Sequence, residues 1–155
     1  MTNEILLREV VEEDLPVFYA HQIDADAVEM AAHLPRDYEA FQLHWTDLLA
    51  KNAVVKKTIL VDQRVTGYVI SFVYFGVREV GFWIGKEYWG QGIATRALSK
   101  FLEQVPLRPL RASAAKHNRG SLRVLEKCGF RIVGEDKAFS NMGGRVVEGI
   151  VLNLE

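Results

Sequence analysis

The run Glu79-Val-Gly-Phe-Trp-Ile-Gly85-Lys-Glu-Tyr-Trp-Gly90-Gln-Gly92-Ile93-Ala-Thr-Arg-Ala-Leu98 changes texture midway. Its first half is apolar and aromatic, and reads as a strand over Val80–Ile84 that ends near Gly85. From Ile93 to Gln104 the apolar residues Leu98, Phe101 and Leu102 recur at helical spacing. Between the two lie Gly90, Gly92 and the small Ala94. The first turn of a helix has N–H groups without intrahelical partners, and the macrodipole adds partial positive charge there. Glycine lets a ligand approach the backbone closely. A strand, a two-glycine loop and a helix start therefore make a seat for phosphate, with the Thr95 hydroxyl as a further donor. The run lacks the Lys-Ser/Thr ending of a P-loop and the third glycine of a dinucleotide fingerprint, so ATP and NAD are not the evident ligands.

Upstream, Ile5–Arg8 reads as a short strand and Glu12–Gln22 as a helix with acids at its positive end. Asp24–Pro35 fits either a short helix or a loop. Tyr38–Ala50 carries Phe41, Trp45, Leu48 and Leu49 at helical spacing. Thr58–Asp62 and Thr66–Phe75 are β-rich runs around a tight turn at Asp62–Arg64, and with Val80–Ile84 they suggest an antiparallel meander. Downstream, Pro106 and Pro109 close the helix. Leu110–Ala115 reads as a strand and Ser121–Cys128 as a helix capped by Gly129. Phe130–Val133 and Glu148–Leu154 read as closing strands, with a turn at Asn141–Gly144. The expected fold class is mixed α/β: a mostly antiparallel central sheet flanked by helices.

Bulk properties narrow the class without naming a function. The chain of 155 residues suits one domain, 1–155, and is 49% hydrophobic and 25% charged. A net charge of −1 gives no electrostatic case for nucleic acid. No apolar run is long enough for a membrane helix, and the first ten residues lack the pattern of a signal peptide. The one cysteine, Cys128, forms no intrachain disulfide, which fits a cytoplasmic location. His21, His33, His44 and His117 show no metal-ligand spacing, so no metal is expected.

Trp89-Gly90-Gln91-Gly92-Ile93-Ala94 resembles the coenzyme-A pyrophosphate loop of the GNAT N-acetyltransferases. Downstream, Asn118-Arg-Gly-Ser121-Leu-Arg-Val-Leu125-Glu126-Lys127-Cys128-Gly129-Phe130 resembles the Asn-x-x-Ser…Leu-Glu-Lys-x-Gly-Phe signature of the same superfamily. The order and separation of the two motifs agree with its arrangement, and the branch they most resemble includes ribosomal-protein N-terminal acetyltransferases. The match covers about a third of the chain, and Trp89 departs from the Arg or Gln of many members.

The resemblance implies the GNAT fold and an N-acetyltransferase with acetyl-CoA as co-substrate. The acceptor is a primary amine, either a peptide N-terminus or a small amine, and transfer is direct in a ternary complex. The pyrophosphate is expected on Gln91, Gly92, Ile93, Ala94 and Thr95, and the pantetheine arm along Phe82, Trp83 and Ile84, where two strands splay. Asn118 is expected to bind the arm, and Glu79 to act as base, through water. Ser121 is expected as acid toward the sulfur, or as a helix N-cap or coenzyme contact. Many relatives carry a tyrosine acid where this chain has Leu125. That absence leaves open a second reading, a non-catalytic acyl-CoA sensor module. Cys128 and the Trp83 side chain read as packing, while Tyr88 and Trp89 could wall a channel. Asp24, Asp26, Glu29, Asp37 and Glu39 would favour polycationic acceptors if they lined the groove. Monomer and homodimer both fit, without nucleic-acid or membrane partners.

Overall fold

The computed structural model describes residues 4–155. Strand β1 (Ile5–Glu9) leads through a 3-10 turn at Glu12–Asp14 into α1 (Leu15–Gln22), α2 (Ala25–Ala31) and α3 (Tyr38–Ala50). A meander follows: β2 (Val55–Val61), β3 (Arg64–Tyr74) and β4 (Val77–Ile84). Then come α4 (Ile93–Gln104), β5 (Leu110–Ala115), α5 (Arg119–Lys127) and a long hairpin of β6 (Arg131–Met142) and β7 (Arg145–Leu154). The strands form one seven-stranded sheet in the order β1-β2-β3-β4-β5-β7-β6. Every neighbouring pair is antiparallel except β4–β5.

Side chains alternate across the sheet. One face carries Ile59, Val69, Val80, Ile84 and Leu152 into the main core, where α4 supplies Ala97, Leu98 and Phe101. On the other face α1 and α3 stack Phe18 and Trp45 against Tyr68, with ring centroids near 5 Å. Tyr68 is partly buried there, and that burial pushes its phenol up to about 12, with Arg36 pulling the other way.

Several bounds differ from expectation for local reasons. Glu12–Gln22 is not one helix, because Asp14 turns inward and its carboxylate accepts the Val11 N–H at 3.0 Å. Val55–Lys57 joins β2 although it carries two lysines; Lys56 is buried, and its ammonium donates to the Lys51 and Val54 carbonyls. The β6 strand runs well past Val133 because it stays paired with β7 as far as Met142; most of its residues face solvent, so its sequence shows no alternation.

Asp14 ties this end of the sheet together. It accepts two bonds of 2.8 Å from the Arg8 guanidinium and one of 2.5 Å from Thr58 Oγ1. Burial opposes its ionisation, but the bonds from Arg8, Thr58 and the Val11 N–H outweigh it and hold the carboxyl below its usual range. We expect Asp14→Ala to cost about 3 kcal/mol in chemical denaturation, near the low end for a broken buried pair because Arg8 still reaches solvent. A folded-state pKa below the unfolded one contributes stability at neutral pH that is lost as pH falls through the folded value. The gap between wild type and variant should therefore narrow in acid; a constant gap, or a loss under 1 kcal/mol, would refute this account.

Candidate active site

The loop after β4 is held from both sides. The Gly85 N–H donates to the Thr66 carbonyl at 2.9 Å, and the Trp89 indole Nε1–H donates to the Ile84 carbonyl at 2.9 Å. Gly90 (φ +76°) and Gly92 (φ +74°) are left-handed, and a Cβ on either would meet no atom within 4 Å. Both therefore face open space. Gly92 is the N-cap of α4 and has no side chain to cap the first turn. The free N–H groups and the positive helix end point into that space, an arrangement that suits an anion.

The space is a cavity of about 500 Å³, walled by the loop, by Phe82–Ile84 of β4, by α5 and by α2. From α5 come Ser121, Arg123 and Lys127, with Asn118 just before it. The helix N-cap is Asn118, not Ser121: its side-chain oxygen accepts the Ser121 N–H at 3.2 Å. That leaves the Asn118 amide donor and the Ser121 hydroxyl facing the cavity. Gln91 does not line it, and its side-chain amide donates to the Glu87 carbonyl at 3.3 Å. Ala94 and Thr95 line it, whereas the Ile93 side chain is buried in the core, so that residue's main chain is what the wall offers. Cys128 is packed away, with Sγ 3.6 Å from the Thr95 carbonyl oxygen and burial pushing its thiol up.

A second space of about 110 Å³ lies between β4 and β5 and shares Ala31, Phe82, Asn118 and Ser121 with the first. Leu125, the position of the missing tyrosine, lines it. The two strands are in register only at Glu79↔Arg111, and beyond that pair they diverge. Glu79 sits at this apex, two residues before Gly81 of the smaller cavity and on the same sheet face. Burial pushes its carboxyl up, and Arg111 pulls it partly back.

Trp83 departs from the packing expected for its side chain. It faces away from Phe82 and Ile84, lines the larger cavity, and meets His33 edge-on with centroids 6.1 Å apart. Its Nε1 is buried without a hydrogen-bond partner. Burial lowers the pKa of both His33 and His44, and the nearby Arg36 charge lowers it further.

Sequence reasoning missed the roof. Ala27, Met30 and Ala31 of α2 line the larger cavity. The same helix is tied to three surrounding segments: Asp26 to Lys86, the Glu29 carbonyl to His117, and the Glu29 carboxylate to Arg145. Four of the five acids named for a polycation groove are engaged locally, since Asp24 and Asp37 cap α2 and α3 while Asp26 and Glu29 are in these ion pairs. No cluster of three metal-ligating side chains occurs among the described residues, and none of their helices is long and apolar enough to cross a membrane.

The fold is similar to that of known acetyltransferases. The spermidine N-acetyltransferase of Vibrio cholerae, solved with CoA and spermine, is 18% identical with a TM-score of 0.84, over 97% of this chain and 94% of that one. RimL, the ribosomal L7/L12 alpha-N-protein acetyltransferase solved with coenzyme A, is 15% identical with a TM-score of 0.80, over 97% and 93%. Mycobacterium smegmatis RimJ, solved with CoA-disulfide, is 20% identical with a TM-score of 0.79, over 97% and 81%. At these identities the likeness is one of fold. No curated protein matches the sequence. The family model described as an acetyltransferase (GNAT) domain matches residues 4–131, so the chain belongs to the GNAT family of acetyltransferases, with acetyl-CoA as co-substrate.

Proposed function

We propose that this protein moves the acetyl group of acetyl-CoA directly onto a primary amine, either a small molecule or a peptide N-terminus. The observation that carries the reading is the pair of adjoining cavities that runs from the two-glycine loop in between the splayed strands and ends at Val80 and Gly81, next to Glu79. The residues present fit the coenzyme. The open glycine positions and uncapped helix start suit its pyrophosphate, the unpaired edge of β4 suits its amide-bearing arm, and Arg123 and Lys127 suit its remaining phosphate.

When bound, acetyl-CoA supplies an activated thioester. The amine nitrogen attacks the thioester carbonyl, a C–N bond forms, and the C–S bond breaks. Glu79 takes the amine's proton through water, and its raised pKa makes it a better acceptor than an exposed glutamate. The electron pair leaves on sulfur, toward the Ser121 hydroxyl as hydrogen-bond donor. Leu125 offers no proton, so the thiolate departs with hydrogen bonds alone. The packed Cys128 thiol, with its raised pKa, is unsuited to form an acyl-enzyme.

Leu125 also supports a second reading, an acyl-CoA sensor without turnover. Thermal shift followed by thiol release separates the two. At a hundredfold excess over Kd, CoA should raise Tm by roughly 5–10 °C, whereas ATP and NAD should not. Thiol release with acetyl-CoA and an amine panel should then show turnover. A Tm rise without turnover on any amine favours the sensor, and no rise with CoA rules out both readings.

A further inference from the structure

On the sheet face that carries Glu79, two polar groups besides the Trp83 indole remain unsatisfied. Arg111 stands directly across from Glu79 on β5, and Asn153 stands across from Arg111 on β7. Arg111 Nε and Asn153 Oδ1 are both buried without a hydrogen-bond partner. Glu79 and Arg111 feel one another's charge, yet no ion pair joins them among the described residues. An unmade bond at a buried polar group is costly unless something else completes it. Two residues along β5, Ser113 lines the smaller cavity opposite Gly81, so the row borders the place where acetyl transfer would occur.

The charges around this face point the same way. Arg36, between α2 and α3, lies close enough to perturb His33, His44 and Tyr68 on the acceptor side. Four of the five acids that would hold a polycation are capping helices or paired elsewhere. The acceptor face therefore offers one carboxylate for an amine and arginines for something anionic.

We propose that the acceptor is a small amine bearing an acidic group, a carboxylate or phosphonate, within a few bonds of the nitrogen, and that Arg111 binds that group while Glu79 faces the nitrogen. The proposal rests on the acetyl-transfer reading and names its substrate class. A zwitterion of this kind satisfies both members of a pair that does not close on itself. It also completes the Arg111 Nε–H, and a water bound beside its acidic group can serve Asn153 Oδ1.

The test measures thiol release by the full chain with acetyl-CoA and three sets of acceptors. These are α-amino acids and aminoalkylphosphonates, the corresponding α-amino amides (which stand in for peptide N-termini), and spermidine. We expect kcat/KM for the best acid-bearing amine to exceed that for its amide by about 10- to 100-fold, the range of a charged hydrogen bond. Arg111→Gln should bring that ratio close to one without changing the Kd for acetyl-CoA, and Arg111→Lys should keep part of it. Equal or better turnover of amides or spermidine overturns the proposal while leaving acetyl transfer intact. So does an Arg111→Gln variant that folds and slows acid and amide alike. Acetyl-CoA binding with no turnover on any set overturns both readings. The wild-type comparison decides even if Arg111→Gln fails to fold.

Discussion

Gly92→Val should weaken acetyl-CoA binding by about a hundredfold or more, equivalent to about 2.7 kcal/mol, in a chain that still folds. Gly92 has φ +74°, a conformation β-branched residues rarely adopt, so the variant either strains the loop or straightens it. In the first case a branched side chain enters the space where no protein atom lies within 4 Å. In the second the N–H groups of the first turn of α4 swing off line, and charge-assisted bonds to the pyrophosphate are lost. Gly76, at the β3–β4 turn, has φ +76° and the same open surroundings, but it does not line the cavity. Gly76→Val therefore controls for backbone strain: it should lower stability by a similar 1–3 kcal/mol and leave Kd unchanged. Unaltered affinity in Gly92→Val by calorimetry would mean that the phosphates sit elsewhere.

Glu79→Gln should lower kcat by about 100- to 10,000-fold while acetyl-CoA still binds. The isostere keeps the strand and its packing but cannot take a proton. The pH profile separates a base from a merely structural residue. With an α-amine acceptor of pKa about 8, log kcat/KM rises with slope one below that value, because only the free amine attacks. Below the Glu79 pKa the wild type should steepen to slope two, since the base is then protonated as well. Burial places that bend higher than for an exposed glutamate. In Glu79→Gln the second bend should disappear. A variant that keeps the bend, or loses less than tenfold in kcat, would remove Glu79 from the proton path.

Local features were legible in the sequence. Tyr38–Ala50, Ile93–Gln104 and Leu110–Ala115 have the bounds their patterns indicated, because clear periodicity is flanked by breakers such as Pro106. The loop at Gly90 and Gly92 was legible for the same reason, since its geometry is made within one strand–turn–helix unit. The short α2 was ambiguous because it ends at Ala32 with φ +52°, and no glycine or asparagine marks that stop. The place of Arg111 beside Glu79 was invisible. It depends on β5 lying between β4 and β7, a non-local pairing that no run of neighbouring residues encodes. Trp83 was half-legible: its place on the strand was clear, but not which face would be packed and which would border a cavity.

A single rung, Glu79 to Arg111, joins the two halves of the sheet across its middle. A coenzyme lying in that cleft would stand in for the missing rungs, bonding to one strand and wedging the other. The domain's stiffness would then rise and fall with each catalytic cycle: the reagent acts as a removable strand, and letting go of product also means reopening the molecule's central seam.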